Sequence, residues 1–402
     1  MKHIIILGDG MADLPIEKLG GKTPLMAAKT PYIDNLAANG RTGLLKTVPD
    51  DMPAGSEIAN MGVMGYDVHK VYEGRGVLEA ASMGVALNNN DLALRCNLIC
   101  ITGENIKNHS AGHISTEEAH ELIAFLNKEL GSEHVCFYPG VSYRHLLVIK
   151  GGNKLIQCTP PHDVPDHAFE PLLVKAKSDE AVETANLVNR LILNSQKVLA
   201  QHPVNIARAK AGKDVANSIW PWSPGNKPQM PTLKEMFGID KSAVISAVDL
   251  IQGIGVYAGM EVLKVDGATG LYDTNYEGKA QAAIDALKNG AEFVYLHVEA
   301  SDEAGHEGDV ELKTRTIEYL DSRIVKPIVE AAGELDEPLA IGILPDHPTP
   351  CALRTHTHDP IPFLLYKPGI EPDSVKCYDE ESVKEGAYGI LSGDAFIKEL
   401  LK

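Results

Sequence analysis

The chain has 402 residues, and its 37 Lys+Arg against 55 Asp+Glu give a formal charge of −18. A hydrophobic fraction of 44% with 23% charged residues excludes wholesale disorder, and 5% aromatics leaves the core to aliphatic side chains. The acidic excess excludes nucleic acid and anionic membrane as partners, because both surfaces repel it; an anionic ligand would need local positive charge, for which bound metal is the obvious source.

The first element is a short aliphatic strand at 3–8, ending in Gly8-Asp9-Gly10. Pro53-Ala54-Gly55-Ser56-Glu57-Ile58 reads as a turn opening a helix at Ser56. Ser115-Thr116-Glu117-Glu118 fits a capping box and opens a helix with Leu122, Ile123, Leu126 and Leu130 on one side. Strand-like pieces follow at 134–138, 145–149 and 154–157. Pro160, Pro161, Pro165 and Pro171 separate them from a long helix at 178–201. A second proline-rich segment, from Trp220-Pro221-Trp222 to Pro231, precedes a strand at 243–247. Helices at 277–289, 309–332 and 393–401 then alternate with apolar strands at 293–298, 339–344 and 361–366.

Alternation of helices with continuous apolar runs predicts an α/β fold with a largely parallel sheet. Residues 85–238 read as an inserted α+β domain with hinges at the proline- or glycine-rich ends. Residues 1–84 and 239–402 together form the discontinuous main domain. No apolar run reaches the roughly 18 residues of a membrane span, and the N-terminal run is too short for a signal peptide. The six cysteines include no Cys-x-x-Cys pair and read as reduced thiols of a cytosolic protein.

Metal-binding side chains gather at strand ends: Asp9, Asp302 with His306, Asp346-His347, and His356 in Thr355-His356-Thr357-His358-Asp359-Pro360. In parallel α/β sheets the loops at the carboxyl ends of strands carry function, so Asp9, Asp302 and Asp346 should converge on one edge. Singly, each has a plain structural use as a cap, a solvated helix end or a loop histidine. Jointly, three carboxylates and three imidazoles suit Zn²⁺ or Mn²⁺ better than Ca²⁺, which prefers oxygen alone. Ser56 is an N-cap candidate, but a helix start also stabilises an alkoxide or phosphate, and a metal would make its oxygen a nucleophile. Gly253 to Gly259 is GxGxxxG, one residue too long for a dinucleotide fingerprint, and no GxxxxGK[ST] occurs.

These residues, together with Gly65-Tyr66-Asp67, Arg75-Gly76, Arg95-Cys96-Asn97, Ser110-Ala111-Gly112, Tyr143-Arg144-His145 and Asp273-Thr274-Asn275-Tyr276, carry a resemblance over nearly the whole length. The chain resembles the cofactor-independent phosphoglycerate mutases of the archaeal type, within the alkaline phosphatase superfamily. The resemblance implies an alkaline-phosphatase-like, mostly parallel sheet with helices on both faces and two divalent ions: Mn²⁺ or Zn²⁺, with Mg²⁺ or Co²⁺ as alternatives. No 2,3-bisphosphoglycerate is implied. One ion falls to Asp302, His306 and His356, the other to Asp9, Ser56, Asp346 and His347. His356 is chosen over His358 because it stands four before Pro360; the role of His358 is open.

The implied reaction interconverts 3-phosphoglycerate and 2-phosphoglycerate through a phosphoserine on Ser56, with the inserted domain as substrate-binding lid. Arg95, Arg144, His109, His113 and Arg208 are its candidate anion-binding groups. Lys279 is a candidate phosphate contact or else a helix-surface lysine. One departure concerns the substrate: the family run resembles Gly-Ser-Asp-x-Ala-His, where this chain has Gly55-Ser56-Glu57-Ile58-Ala59-Asn60. That variant resembles a branch proposed as alternative homoserine kinases, so phosphoryl transfer to an amino-acid hydroxyl is the alternative, with phosphomonoester hydrolysis third. The expected partner is phosphoglycerate, a small phosphorylated substrate, for a cytoplasmic protein whose further partner is, at most, a second copy of itself.

Overall fold

The computed structural model describes residues 1–402. It divides into two compact units, Met1–Tyr72 with Met230–Lys402, and Glu73–Gln229. Both junctions fall earlier than the 84/85 and 238/239 drawn from composition. The helix Arg75–Ser82 packs on strands Asp91–Thr102 and Ser218–Asn226 and so joins the inserted unit. The Thr232-capped helix Leu233–Phe237, whose first N–H bonds to the Ala258 carbonyl, joins the other.

The main unit is built on an eight-stranded sheet. Its order is Glu261–Val262, Ser242–Ile245, Phe293–Val298, Lys2–Gly8, Leu339–Leu344, Ile361–Tyr366, Arg41–Lys46 and Ile390–Ser392. Every neighbouring pair is parallel except those made by Ile361–Tyr366, which is antiparallel to both of its neighbours. The fold is therefore α/β and mostly parallel, with one reversed strand that apolar content alone did not reveal. Strand 339–344 reaches 361–366 through a loop with no crossover helix, and a parallel return needs such a crossover.

Ile4 to Leu7 are completely buried, each contributing roughly 1.5–3 kcal/mol by leaving water. Ile4, Ile6, Ile341 and Ile343 pack with Ala280, Ile284, Ile324 and Ile328 of the helices on one face. The alternate position Gly342 faces Phe396 and Leu400 of the helix Ala395–Leu401 on the other. The predicted helix at 309–332 runs as Val310–Tyr319, a π turn Leu320–Val325 and Lys326–Ala332. Pro327 brings no N–H and crowds the preceding turn, which accounts for the rewinding.

The inserted unit carries an antiparallel sheet in the order Ser218–Asn226, Asp91–Thr102, Arg144–Lys150, Val135–Tyr138, with Asn105–Asn108 folded back on the end of the second strand. Helices Thr116–Leu130 and Val182–Leu199 bury Leu122, Leu126, Val188 and Ile192 in its core, and the Ser115/Glu118 capping box is formed in full. The segment Trp220–Gly225, expected as a proline-rich hinge, is instead part of the edge strand 218–226. Its register slips opposite Ala93 and Arg95, so Ser223 and Pro224 are accommodated at an irregularity; edges and bulges are where strands tolerate proline.

Candidate active site

Three adjacent parallel strands, 293–298, 2–8 and 339–344, end at the same edge of the sheet. Their next residues therefore meet, and Asp9, Asp302 and Asp346 are brought together with the histidines. Gly10 makes the first turn possible. It sits at φ +60°, and a Cβ there would lie 2.5 Å from Asp302 Oδ1 and from Thr349 Oγ1.

Ser56 is the first residue of the helix Ser56–Val63, and the N-cap position is held by Gly55. The serine is thus not spent on capping. Its Oγ stands 3.1 Å from His347 Nε2. The same Nε2 lies 3.4 Å from Asp346 Oδ2 and 3.6 Å from Asp9 Oδ1. Next to it, the His347 ring stacks on that of His356 at 3.8 Å between centroids. Asp302 Oδ1 is 3.3 Å from His356 Nε2, Asp302 Oδ2 is 3.1 Å from His306 Nε2, and the two histidine nitrogens are 3.0 Å apart. All seven expected ligands therefore lie in one array. His358 points elsewhere, to the carbonyl of Met52.

Backbone and side-chain partners orient these candidate ligands. His356 Nδ1 meets the Ala54 carbonyl and His306 Nδ1 the Arg354 carbonyl, which leaves each Nε2 aimed inward. Asp346 Oδ1 accepts from the N–H groups of Gly10 and His347. Asp346 Oδ2 accepts from Asn60 Nδ2 at 2.8 Å. Thr349 donates to Asp302. Lys313, fully buried, ties the loops from below: its ammonium donates to the carbonyls of Ala12 and Thr349 and pairs with Asp13 at 2.9 Å.

The electrostatics of the bare array ask for positive charge. Burial, and then the like charges of Asp346 and Asp302, push Asp9 well above the usual carboxylate range. Burial likewise raises Glu299 to about 8, with Asp302 adding to it. Burial would raise Asp302 too, but hydrogen bonds from His306 and His356 hold it well below its ordinary value. The bond to Asp302 pushes His306 up to about 9. Asp9 Oδ1 is buried with no hydrogen-bond partner, an orphaned carboxylate oxygen of the kind a cation satisfies. Ligand atoms of Asp302, His347 and His356 lie within 4.8 Å of one another, as do those of Asp9, His297 and Asp346. The mixed oxygen and imidazole donors fit borderline divalent ions.

The sequence reading missed several members of this centre: His297 and Tyr295, which sit inside an apolar strand with no motif to mark them, Thr349, Lys313 and Glu299. Lys279 is no surface lysine. It is fully buried, donates to the His297 carbonyl at 3.3 Å, and is pushed down to about 8 by burial.

In the inserted unit, a basic and aromatic cluster gathers on one side of the sheet. Arg95 lies over the Trp222 ring at 4.5 Å, and Arg144 over Tyr143 at 5.7 Å. His109 and His113 meet Tyr143 edge-on, and His162 meets Trp222. Burial lowers the Arg95 pKa despite Glu79 at 3.0 Å, and repulsion from Arg75 and Arg144 adds to it. His162 is thus a further member that the sequence did not single out, and Arg75, quoted there only in the Arg75-Gly76 motif, is another. Arg208, expected among these groups, is used elsewhere. Its guanidinium donates to Glu118 and to the carbonyls of Asp214 and Ala111, and with only 4% of the side chain exposed it serves the fold.

A mostly parallel α/β sheet with a carboxylate–imidazole array at its carboxyl edge, beside a serine opening a helix, defines the class: an α/β protein with donor groups suited to metal ions next to a serine hydroxyl. Comparison with known proteins narrows it. The family model of 2,3-bisphosphoglycerate-independent phosphoglycerate mutase matches residues 37–205. A protein of that name from Methanosarcina mazei is 53% identical over 408 residues, covering 100% of both chains. A probable one from Geobacter sulfurreducens is 48% identical over 401 residues, covering 98% of both. Among solved structures, the PH0037 protein of Pyrococcus horikoshii matches with a TM-score of 0.84 at 30% identity, over 100% of this chain and 96% of that one. The cofactor-independent phosphoglycerate mutase of Thermoplasma acidophilum matches with a TM-score of 0.72 at 27% identity, over 100% and 99%. The chain belongs to the 2,3-bisphosphoglycerate-independent phosphoglycerate mutase family.

Proposed function

We propose that the protein interconverts 3-phosphoglycerate and 2-phosphoglycerate through a phosphoserine on Ser56, without 2,3-bisphosphoglycerate. The observation that carries this is the placement of Ser56 Oγ, freed from capping, 3.1 Å from His347 Nε2 within the ligand array. The mutase name borne by relatives of matching length supports the same substrate, and phosphoryl transfer to an amino-acid hydroxyl is not favoured by it.

Asp302, His306 and His356 would hold one divalent ion, and Asp9, Ser56, Asp346 and His347 the other, Mn²⁺ or Zn²⁺ by donor type. Such ions lower the pKa of a serine hydroxyl and offset the charge of a phosphoryl group. Ser56 Oγ, having lost its proton, attacks phosphorus in line. The bond from phosphorus to the C3 oxygen breaks, and that oxygen takes up a proton to leave glycerate. Glycerate turns, its C2 hydroxyl gives up a proton and attacks the phosphoserine, and Ser56 regains its own. The free N–H groups at the start of helix Ser56–Val63 favour the anionic phosphoserine. Arg144 and Arg95, with His109, His113, His162 and Arg75, are the groups we assign to the anionic substrate, since planar guanidinium forks suit carboxylate and phosphate.

The test is direct. Protein supplied with Mn²⁺ and 3-phosphoglycerate, and no bisphosphoglycerate, should form 2-phosphoglycerate by phosphorus NMR. Absence of turnover there, with homoserine phosphate produced from ATP, would overturn the substrate assignment.

A further inference from the structure

One buried histidine at the centre has no part in the reaction just described. His297 lies in the strand Phe293–Val298, with Nε2 2.9 Å from Asp9 Oδ2 and Nδ1 3.1 Å from Ser246 Oγ. Its neighbours fix its tautomer. The Val248 N–H donates to Ser246 Oγ at 3.0 Å, and the serine's own proton remains available to His297 Nδ1. The Asp9 carboxylate only accepts, so Nε2 carries the ring proton and donates it in a hydrogen bond to Oδ2, which leaves Nδ1 of the neutral ring to accept from Ser246. With one nitrogen protonated and the other bonded, the ring has no lone pair left for an ion. Asp9 keeps a single unpartnered oxygen, Oδ1.

Two residues earlier, and so on the same face of the strand, Tyr295 repeats the arrangement. Its O–H donates to Asn60 Oδ1 at 2.5 Å. That fixes the amide, and Asn60 Nδ2 then donates at 2.8 Å both to Asp346 Oδ2 and to the Ser56 carbonyl. One strand thus reaches both carboxylates of the second ligand set, and through Asn60 it also reaches the start of the helix that carries Ser56.

We propose that His297 and Tyr295 are positioning residues, not ligands: His297 holds Asp9 by Oδ2 so that Oδ1 alone faces the cation, and Tyr295, through Asn60, holds Asp346 and Ser56 in register with it. This rests on the metal assignment above but not on the identity of the substrate. Partners of this kind carry a large share of a site's affinity, and their loss weakens metal binding by about 10- to 100-fold.

The experiment uses the full chain with ¹⁵N-labelled histidine, with His297→Gln serving to assign the resonance. In metal-free protein His297 should be the neutral Nε2–H form, and saturation with Zn²⁺ should leave that proton in place. An Nδ1–H tautomer, or loss of the Nε2 proton as Zn²⁺ binds, overturns the proposal and makes His297 a ligand. In calorimetric titration with Zn²⁺, His297→Leu should lose about 10- to 100-fold in affinity, whereas His297→Gln, which keeps an N–H donor, should stay close to wild type. Tyr295→Phe should weaken the same binding. Equal affinity of His297→Leu and wild type, with both folded by circular dichroism, also overturns it. Wild-type protein that takes up no Zn²⁺ removes the metal assignment and the positioning role together. That failure is distinguishable, because the tautomer is read without metal.

Discussion

In the mechanism proposed for Ser56, its availability comes from what it does not do. Gly55 occupies the cap, so the hydroxyl of Ser56 is free to face His347. Ser56→Ala should cost on the order of 10³-fold or more in turnover, because residues acting as one catalytic unit fail together. The melting temperature should scarcely move, since the hydroxyl supports no fold contact beyond the site; a Ser56→Ala protein with normal turnover would end the nucleophile assignment. His306 gives a pH prediction. Its pKa is raised to about 9 by the bond to Asp302, so in metal-free protein the pair contributes stability below the unfolded value of about 6.5 and loses it as pH rises through about 9. Asp302, held low, contributes above about 3.9 and loses its share in acid. An ion entering the site must displace the His306 proton. Mn²⁺ affinity measured by calorimetry should therefore rise from pH 7 to 9, with proton release revealed by buffers of different ionisation enthalpy. Affinity independent of pH over that window would contradict the ligand role of His306.

At the scale of elements, the loops that follow the strands hold the site, and they admit little change. Gly10 lies at φ +60° with Asp302 Cα 2.8 Å from where a Cβ would stand. Gly10→Ala should therefore displace Asp302 and weaken Mn²⁺ binding, as titration would show, at a cost in stability of roughly 1–3 kcal/mol from strain and overpacking. In the inserted unit, Arg208 fastens the helix Thr116–Leu130 to the loops at Ala111 and Asp214. Its side chain is only 4% exposed, so Arg208→Met should lower stability by about 2–4 kcal/mol in denaturant titration. The Michaelis constant of the remaining folded protein should stay as it was; a large rise would return Arg208 to the anion-binding groups.

Across the whole molecule, all the proposed metal ligands belong to one compact unit, while the basic cluster belongs to the other. Each unit has a core of its own. An ion that binds only the folded main unit stabilises it by about 2.7 kcal/mol at a concentration one hundred times its dissociation constant. Scanning calorimetry with and without chelator should show a metal-dependent rise confined to the transition of the main unit. A metal-induced shift in the inserted unit's transition alone would contradict the placement of the ligands. No helix is long and apolar enough to cross a membrane.

Legible from sequence alone were the apolar strands, the Ser115 capping box and the strand-end carboxylates and histidines that gather at the centre. These are local patterns: aliphatic runs, a serine three before a glutamate, acids and histidines where such runs end. From adjacent parallel strands, the meeting of Asp9, Asp302 and Asp346 could be foreseen. Tertiary structure alone decided the reversal of strand 361–366, because direction depends on how a connection crosses the sheet and not on composition. It turned Trp220–Gly225 from an expected hinge into an edge strand, because Asp91–Thr102 offers it a partner that proline content does not disclose. It also drew His297 and Tyr295 into the centre, since a polar side chain inside an apolar strand shows its purpose only once its partners, hundreds of residues away in sequence, are folded against it.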